Sequence, residues 1–308
     1  MSATPMLTGV AAAAPPRSPW REAWLRLRRN RVAVACGVML IGIVLFSIAG
    51  PLIVKATWGY TFDSMNVAYG AHGPSLKHWF GTDALGRDLM VRVMYGGKIA
   101  LGLGIIATAI TTVIGVIWGG VAGYVGGHID NAMMRVVDVL YALPLLVIII
   151  AIQASLAAKF KSPDARLVLM FILIGCLSWL TIARIVRGQI LSLKNREFVE
   201  AARAVGAPGS RILFRHLVPN TLGPVIVYAT ASIPGIMLTE AFLSFLGLGV
   251  QPPRSSWGVL ISDGSKQLLV YPWMLIFPGL VMAMTILALN FLGDGLRDAL
   301  DPQTRKVG

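Results

Sequence analysis

Few of the 308 side chains stand where they could do chemistry. The four histidines (His72, His78, His128, His216) are scattered, and no Cys/His spacing suits zinc. Cys36 and Cys176 lie in separate apolar runs and read as small buried hydrophobes. Gly96-Gly97-Lys98 runs on into Ile99, so no phosphate-binding P-loop is present. No nucleophile, base and metal ligands cluster as an intramembrane enzyme would need. Two features stand out: a lone carboxylate, Glu240, deep in an apolar run, and a polar segment, 187–219, carrying both charge signs. An ionisable group at membrane depth costs about 2.5–3.5 kcal/mol on insertion scales and so tends to face a cavity or a partner. Glu240 therefore reads either as a pathway or gate residue or as hydrogen-bonded to a neighbouring helix. Asp138, three residues from Arg135, is placed to pair with it on one helix face, as a structural pair or as a gate-side brace. Met237, Phe242 and Phe245 are candidates to line a pore, or simply pack.

These residues must be positioned by apolar elements. Hydrophobic residues make up 56% of the chain and charged ones 13%, with a formal net charge of +13. An average soluble domain carries roughly 25% charged residues, so a soluble enzyme is excluded, as is a disordered chain. The low charge density argues against a nucleic-acid partner despite the basic balance. Six apolar runs are candidate spans: 32–54, 99–125, 136–158, 167–183, 221–250 and 272–293. Inner segments would hold 17 Lys and Arg and outer segments 10, which favours both ends inside. The expectation is an all-α integral membrane protein with six transmembrane helices, N-in and C-in. Residues 1–19 read as a disordered tail, 20–72 as an N-terminal segment with the first span, 73–98 as an extracytoplasmic loop and 99–305 as a five-helix core. The late basic stretch before the first run favours a retained helix over a cleaved signal. Gly115, Gly119, Gly123 and Gly127 share one helix face and invite a close helix neighbour. Pro144, Pro224, Pro234 and Pro278 mark kinks. Trp58, Tyr60 and Trp79 suit a membrane edge or a ligand. Asp83, Arg87 and Asp88 can cap and pair locally or meet a partner.

Within the inner segment, Phe198 to Val205 is a helix candidate stopped by Gly206 and Pro208-Gly209, with Ser210 placed to cap a second helix. From composition this is equally a docking surface or a solvated connection. Glu200-Ala201-Ala202, then Gly206, then Pro219 resembles the EAA loop of ABC-importer permeases. The ending Arg215-His216-Leu217-Val218-Pro219-Asn220 departs from the general Ile-x-Leu-Pro pattern and resembles the variant of peptide-type permeases. Phe80 to Asp88, Leu243 to Pro253 with Ser256-Trp257-Gly258, and Gly293 to Pro302 resemble the C-type subunit of the dipeptide/oligopeptide group, so the likeness runs from about residue 20 to 305.

The resemblance implies a type I ABC-importer permease fold in the bacterial inner membrane. It implies a non-catalytic half-pore for di- or oligopeptides, with a homologous second permease, two cytoplasmic ATPases and an extracytoplasmic solute-binding protein as partners. The chain itself would bind no cofactor, ATP and Mg being used by the ATPases. Glu197, Glu200, Ala201, Ala202, Gly206, Arg215, His216 and Pro219 would form the ATPase-coupling loop. Relatives carrying nickel, glutathione or another small solute are the alternative. A second class, an ion-coupled secondary transporter, would show an internal repeat and intramembrane charge sites, whereas only Glu240 and no clear repeat are present.

Overall fold

The computed structural model describes residues 19–157, 159–160 and 162–300. The expectation of a disordered tail therefore lies, apart from Pro19, outside the described residues, as do Arg305 and Lys306. The described residues form α1 (Pro19–Arg29), α2 (Arg31–Ile48), α3 (Gly50–Trp58), α4 (Leu89–Val125), α5 (Gly127–Ala142), α6 (Leu145–Ala157), α7 (Pro163–Leu177) and α8 (Leu180–Leu193). After these come α9 (Glu197–Ala204), the short α10 (Gly209–Arg211), a wide turn at Ile212–Leu217, α11 (Val218–Phe245), α12 (Trp257–Lys266) and α13 (Trp273–Leu300). Five stretches are long and apolar enough to cross a membrane: 31–48, 89–125, 163–193, 209–245 and 273–300. A sixth is a pair, α5 with α6, bent by 78°.

The central element is α4, which packs against α2, α7, α8 and α11. Its glycines decide how closely. A Cβ at Gly115, Gly119 or Gly123 would sit 2.7 Å from Ile182, 2.2 Å from the Ala183 carbonyl oxygen and 2.9 Å from the Arg187 carbonyl oxygen, all on α8. The two backbones thus touch, as small residues allow in membranes. Gly127 does not extend this stripe. It lies past the end of α4 with φ +59° and nothing near its Cβ position.

Four expected boundaries move. First, α4 starts at Leu89, not 99, so Arg92 and Lys98 lie on helix rather than in the outer loop. Second, α8 continues to Leu193, so Arg184 and Arg187 are helical rather than loop residues. Third, the third span is not one helix, since it breaks at Leu143-Pro144, where proline cannot continue the backbone ladder. Fourth, the fifth span ends at Phe245, and 246–256 is irregular. Pro224, Pro234 and Pro278 lie inside their helices.

The segment 80–88 explains the early start of α4. Asp83 Oδ2 accepts from Arg92 Nη1 at 2.6 Å and Arg87 Nε at 2.7 Å, while Asp83 Oδ1 accepts the amides of Leu85 and Arg87. Asp88 Oδ1 caps α4 by accepting Val91 N–H at 2.9 Å, and its Oδ2 pairs with His78 Nδ1 at 2.8 Å. Phe80 stacks on Phe277 of α13, and Trp273 donates to the Thr82 carbonyl. Gly86 has φ +69°, and a Cβ there would lie 2.0 Å from the Asn66 carbonyl oxygen. Asp83, Arg87 and Asp88 therefore cap and pair locally. Trp58 meets Trp79 edge-on and both remain exposed, whereas Tyr60 turns inward onto His78.

Candidate functional site

At the opposite end of α4 stands the polar bracket 194–217. Lys194, just past α8, donates to the Gly123 carbonyl at 3.2 Å and ties the bracket to α4. The amphipathic helix α9 follows. Val199 and Ala202, three apart, face inward onto Val186, Ile190, Ile212, Leu213, Leu217 and Val225. Glu197 and Glu200 occupy its first turn, where the helix dipole favours negative charge.

Glycine closes α9. With Gly206 at φ +78°, its N–H donates to the Arg203 carbonyl at 2.9 Å and that of Ala207 to the Ala202 carbonyl at 3.0 Å. This is the two-bond ending that a left-handed residue permits at a helix terminus. Pro208 then extends the chain into α10, whose first residue, Gly209, lies against Tyr124 of α4. Ser210 does not cap the next helix, because the cap position falls on Pro208, which makes no side-chain cap bond.

The bracket therefore presents Glu197, Glu200, Ala201, Gly206 and Arg215 outward, with His216 half-buried and Pro219 exposed on the first turn of α11. Ala202 is turned inward and positions the helix rather than its surface. Phe198, Val205 and Phe214 were not singled out by sequence and are also exposed, Val205 by 84%. The seven-residue spacing of Phe198 and Val205 was the available signal. Aromatic and apolar side chains beside carboxylates, on a support packed from behind, make a surface suited to a protein partner rather than to catalysis.

The remaining candidates lie elsewhere. Glu240 is 1% exposed, and its Oε1 accepts from Ser244 at 2.6 Å and from Ser256 at 2.5 Å, bracing α11 to the start of α12. Met237 is enclosed with Trp257, Leu260 and Met282. Phe242 and Phe245 are exposed on the outer half of α11. The expected Asp138–Arg135 pair is not formed. Asp138 pairs across to Arg184 of α8 at 2.7 Å, because the helix extends far enough to bring that guanidinium opposite. Nearer the bracket, Arg187 makes two hydrogen bonds to buried Asp130 at 2.5 and 2.7 Å, clamping α5 to α8. Among the described residues no group of three His, Cys, Asp or Glu is placed to hold a metal.

A helical bundle of membrane-crossing length with a braced polar bracket at one end has the architecture of a multi-pass membrane protein. Residues 114–306 match the family model described as binding-protein-dependent transport system inner membrane component, and 18–73 match the N-terminal transmembrane domain of oligopeptide transport permease C. The chain belongs to this family of ABC-transporter inner-membrane permeases. Its relatives include the oligopeptide transport system permease protein OppC of Haemophilus influenzae, 47% identical over 94% of this chain and 90% of its own length. The OppC of Bacillus subtilis is 42% identical over 94% and 91%. The glutathione transport system permease protein GsiD of Escherichia coli is 38% identical over 94% and 92%. The fold also matches the inward-facing MetNI methionine ABC transporter, with a TM-score of 0.54 at 16% identity over 69% of this chain and 96% of that one.

Proposed function

We propose that this chain forms one half of the translocation path of an ATP-driven importer of di- or oligopeptides. Its partners are a homologous permease, two cytoplasmic ATPases that use ATP and Mg, and an extracytoplasmic solute-binding protein. The chain itself holds no cofactor. The observation that carries the reading is α9, which is packed from behind by Val199 and Ala202 while Glu197, Phe198, Glu200, Ala201 and Val205 face away from the bundle. Such a helix seats in a groove of the ATPase and passes that subunit's movement to α8 and α11, with Arg215, His216 and Pro219 holding its far side. The peptide substrate is favoured by the similarity to OppC, which exceeds that to GsiD.

Reversing charge at Glu200 and filling the left-handed Gly206 test the coupling role. Glu200→Lys, with its side chain exposed, leaves the bundle core untouched and is expected to weaken ATPase capture at least tenfold, the scale of a modest interface hot spot at about 1.4 kcal/mol or more. Gly206→Val strains the ending of α9 and is expected to uncouple ATP hydrolysis from uptake while membrane insertion persists. Co-purification of the ATPases and vesicle uptake of labelled tripeptide, nickel and glutathione are the measurements. Normal capture and uptake in both variants would remove the coupling assignment, and uptake of nickel or glutathione alone would replace the peptide reading.

A further inference from the structure

Four side chains meet on the open side of α5 and α8. Arg184 Nη2 donates to Asp138 Oδ1 at 2.7 Å, and its guanidinium carbon lies 4.2 Å from the centre of the Tyr141 ring. The Tyr141 hydroxyl and Thr181 Oγ1 are hydrogen-bonded. This cluster is not enclosed by the chain, the Arg184 and Asp138 side chains being 47% and 55% exposed. It lies within the apolar stretch 163–193 rather than at its end. Arg184 precedes the end of α8 by nine residues, roughly 14 Å at 1.5 Å per residue. Charges on a membrane-crossing stretch are costly against hydrocarbon and so tend to face water, a cavity or a partner.

A second observation falls on the same face. One residue beyond α5, and two beyond Tyr141, the backbone breaks at Leu143-Pro144 and turns by 78° into α6. Interrupted backbone at membrane depth is tolerated where it is buried in protein or borders water, and helix breaks recur at the solute sites of membrane transporters. An exposed acid, an exposed base, an aromatic ring and a break therefore converge on one surface of the chain.

We infer that the translocation path runs along this surface and that Arg184 and Asp138 form its polar wall. This rests on the peptide-import reading for the identity of the solute. With the path empty the two charges satisfy one another. A zwitterionic peptide carries both complements: its carboxylate exchanges onto the Arg184 guanidinium and its ammonium onto Asp138, with the Tyr141 ring beside them. Self-pairing keeps the wall neutral between passages, so the site holds its solute loosely enough to release it.

The test uses the assembled transporter in nanodiscs, where both faces meet the reagent, after Cys36→Ala and Cys176→Ala. Thr181→Cys is then exposed to a negatively charged methanethiosulfonate. The expected rate is within about tenfold of a Leu76→Cys control, since thiolate access sets it and Leu76 is 98% exposed. A saturating transported tripeptide is expected to slow it several-fold. Tyr141→Cys gives the same reading if the first variant assembles poorly. Labelling more than about a hundredfold below the control at both positions means that lipid or the second permease covers the face, and overturns the inference. Labelling slowed by a different transported solute but not by peptide upholds the wall and overturns the peptide reading instead. Labelling slowed by no transported solute overturns the binding role. Uptake adds a further check, because Arg184→Gln is expected to fall at least tenfold below Arg184→Lys in the same assembled complexes.

Discussion

Gly119→Ala, a single methyl group, is expected to destabilise the folded bundle by about 3 kcal/mol, the upper end of ordinary overpacking costs. The reason is the identity of the clashing atoms. The new Cβ would meet the Ala183 carbonyl oxygen at 2.2 Å and its carbon at 2.9 Å, which are backbone atoms with no rotamer to change. Neighbouring contacts at Gly115 and Gly123 hold α8 in place above and below, so relief requires moving the whole helix. The control is Gly102→Ala on the same α4, where nothing lies within 4 Å. That change should be neutral, or stabilising by up to about 1 kcal/mol through helix propensity. Unfolding midpoints of the purified transporter in mild detergent distinguish them. Equal midpoints for the two variants would show that α4 and α8 do not approach as described.

Asp83→Ala should produce the second large effect, a loss of about 3–5 kcal/mol, as expected when one partner is removed from a buried ion pair. Arg92 keeps its charge with its side chain 4% exposed and loses its carboxylate, while the amides of Leu85 and Arg87 lose their acceptor. Asp83→Asn retains an oxygen for the two amides and should fall between wild type and Asp83→Ala. The informative variant is the double replacement Asp83→Ala with Arg92→Met. Removing both charges is expected to recover part of the loss, because the stranded guanidinium is the larger share of the cost. Thermal unfolding of the assembled complex measures all three. If the double variant is no better than Asp83→Ala alone, the loss lies in the loop's backbone bonds and the Arg87 pair and not in the Arg92 charge.

The apolar runs of the sequence were enough to read a polytopic helical bundle, because a membrane span is a local property of about 20 residues. The bracket was also legible. Gly206 and Pro208 end α9 through backbone constraints that act within a few residues. What escaped the sequence depends on contacts between distant segments. Arg92 and Lys98 lie outside the uncharged run and so read as loop residues, yet α4 carries them because Asp83 and Asp88 pair and cap its first turn. Arg184 and Arg187 look like the start of an inner loop, yet Asp138 and Asp130 of α5 meet them on helix. The same long-range pairing took Asp138 away from Arg135, its sequence neighbour. Pro144 announced a kink, but the 78° turn it allows depends on what surrounds it. Glu240 was conspicuous by its charge, and only the arrival of Ser256 from beyond α11 shows that its oxygen is held internally.

The bare backbone contact between α4 and α8 has a mechanical consequence. Side-chain layers between helices act as compliant padding that can shear before load is passed on. At Gly119 the nearest α8 atoms are all backbone, at Gly123 the nearest is the Arg187 carbonyl oxygen, and Lys194 pins the near end of α8 to α4. On the proposed coupling role of α9, a push delivered there would therefore move α8 and α4 together as one stiff pair over the roughly 20 Å of α8. At Ser178-Trp179 the regular helix is locally interrupted, though α7 and α8 continue as one stretch, 163–193. That local irregularity is the softest point of the stretch, so substitutions there should change transport rate while leaving ATPase attachment intact.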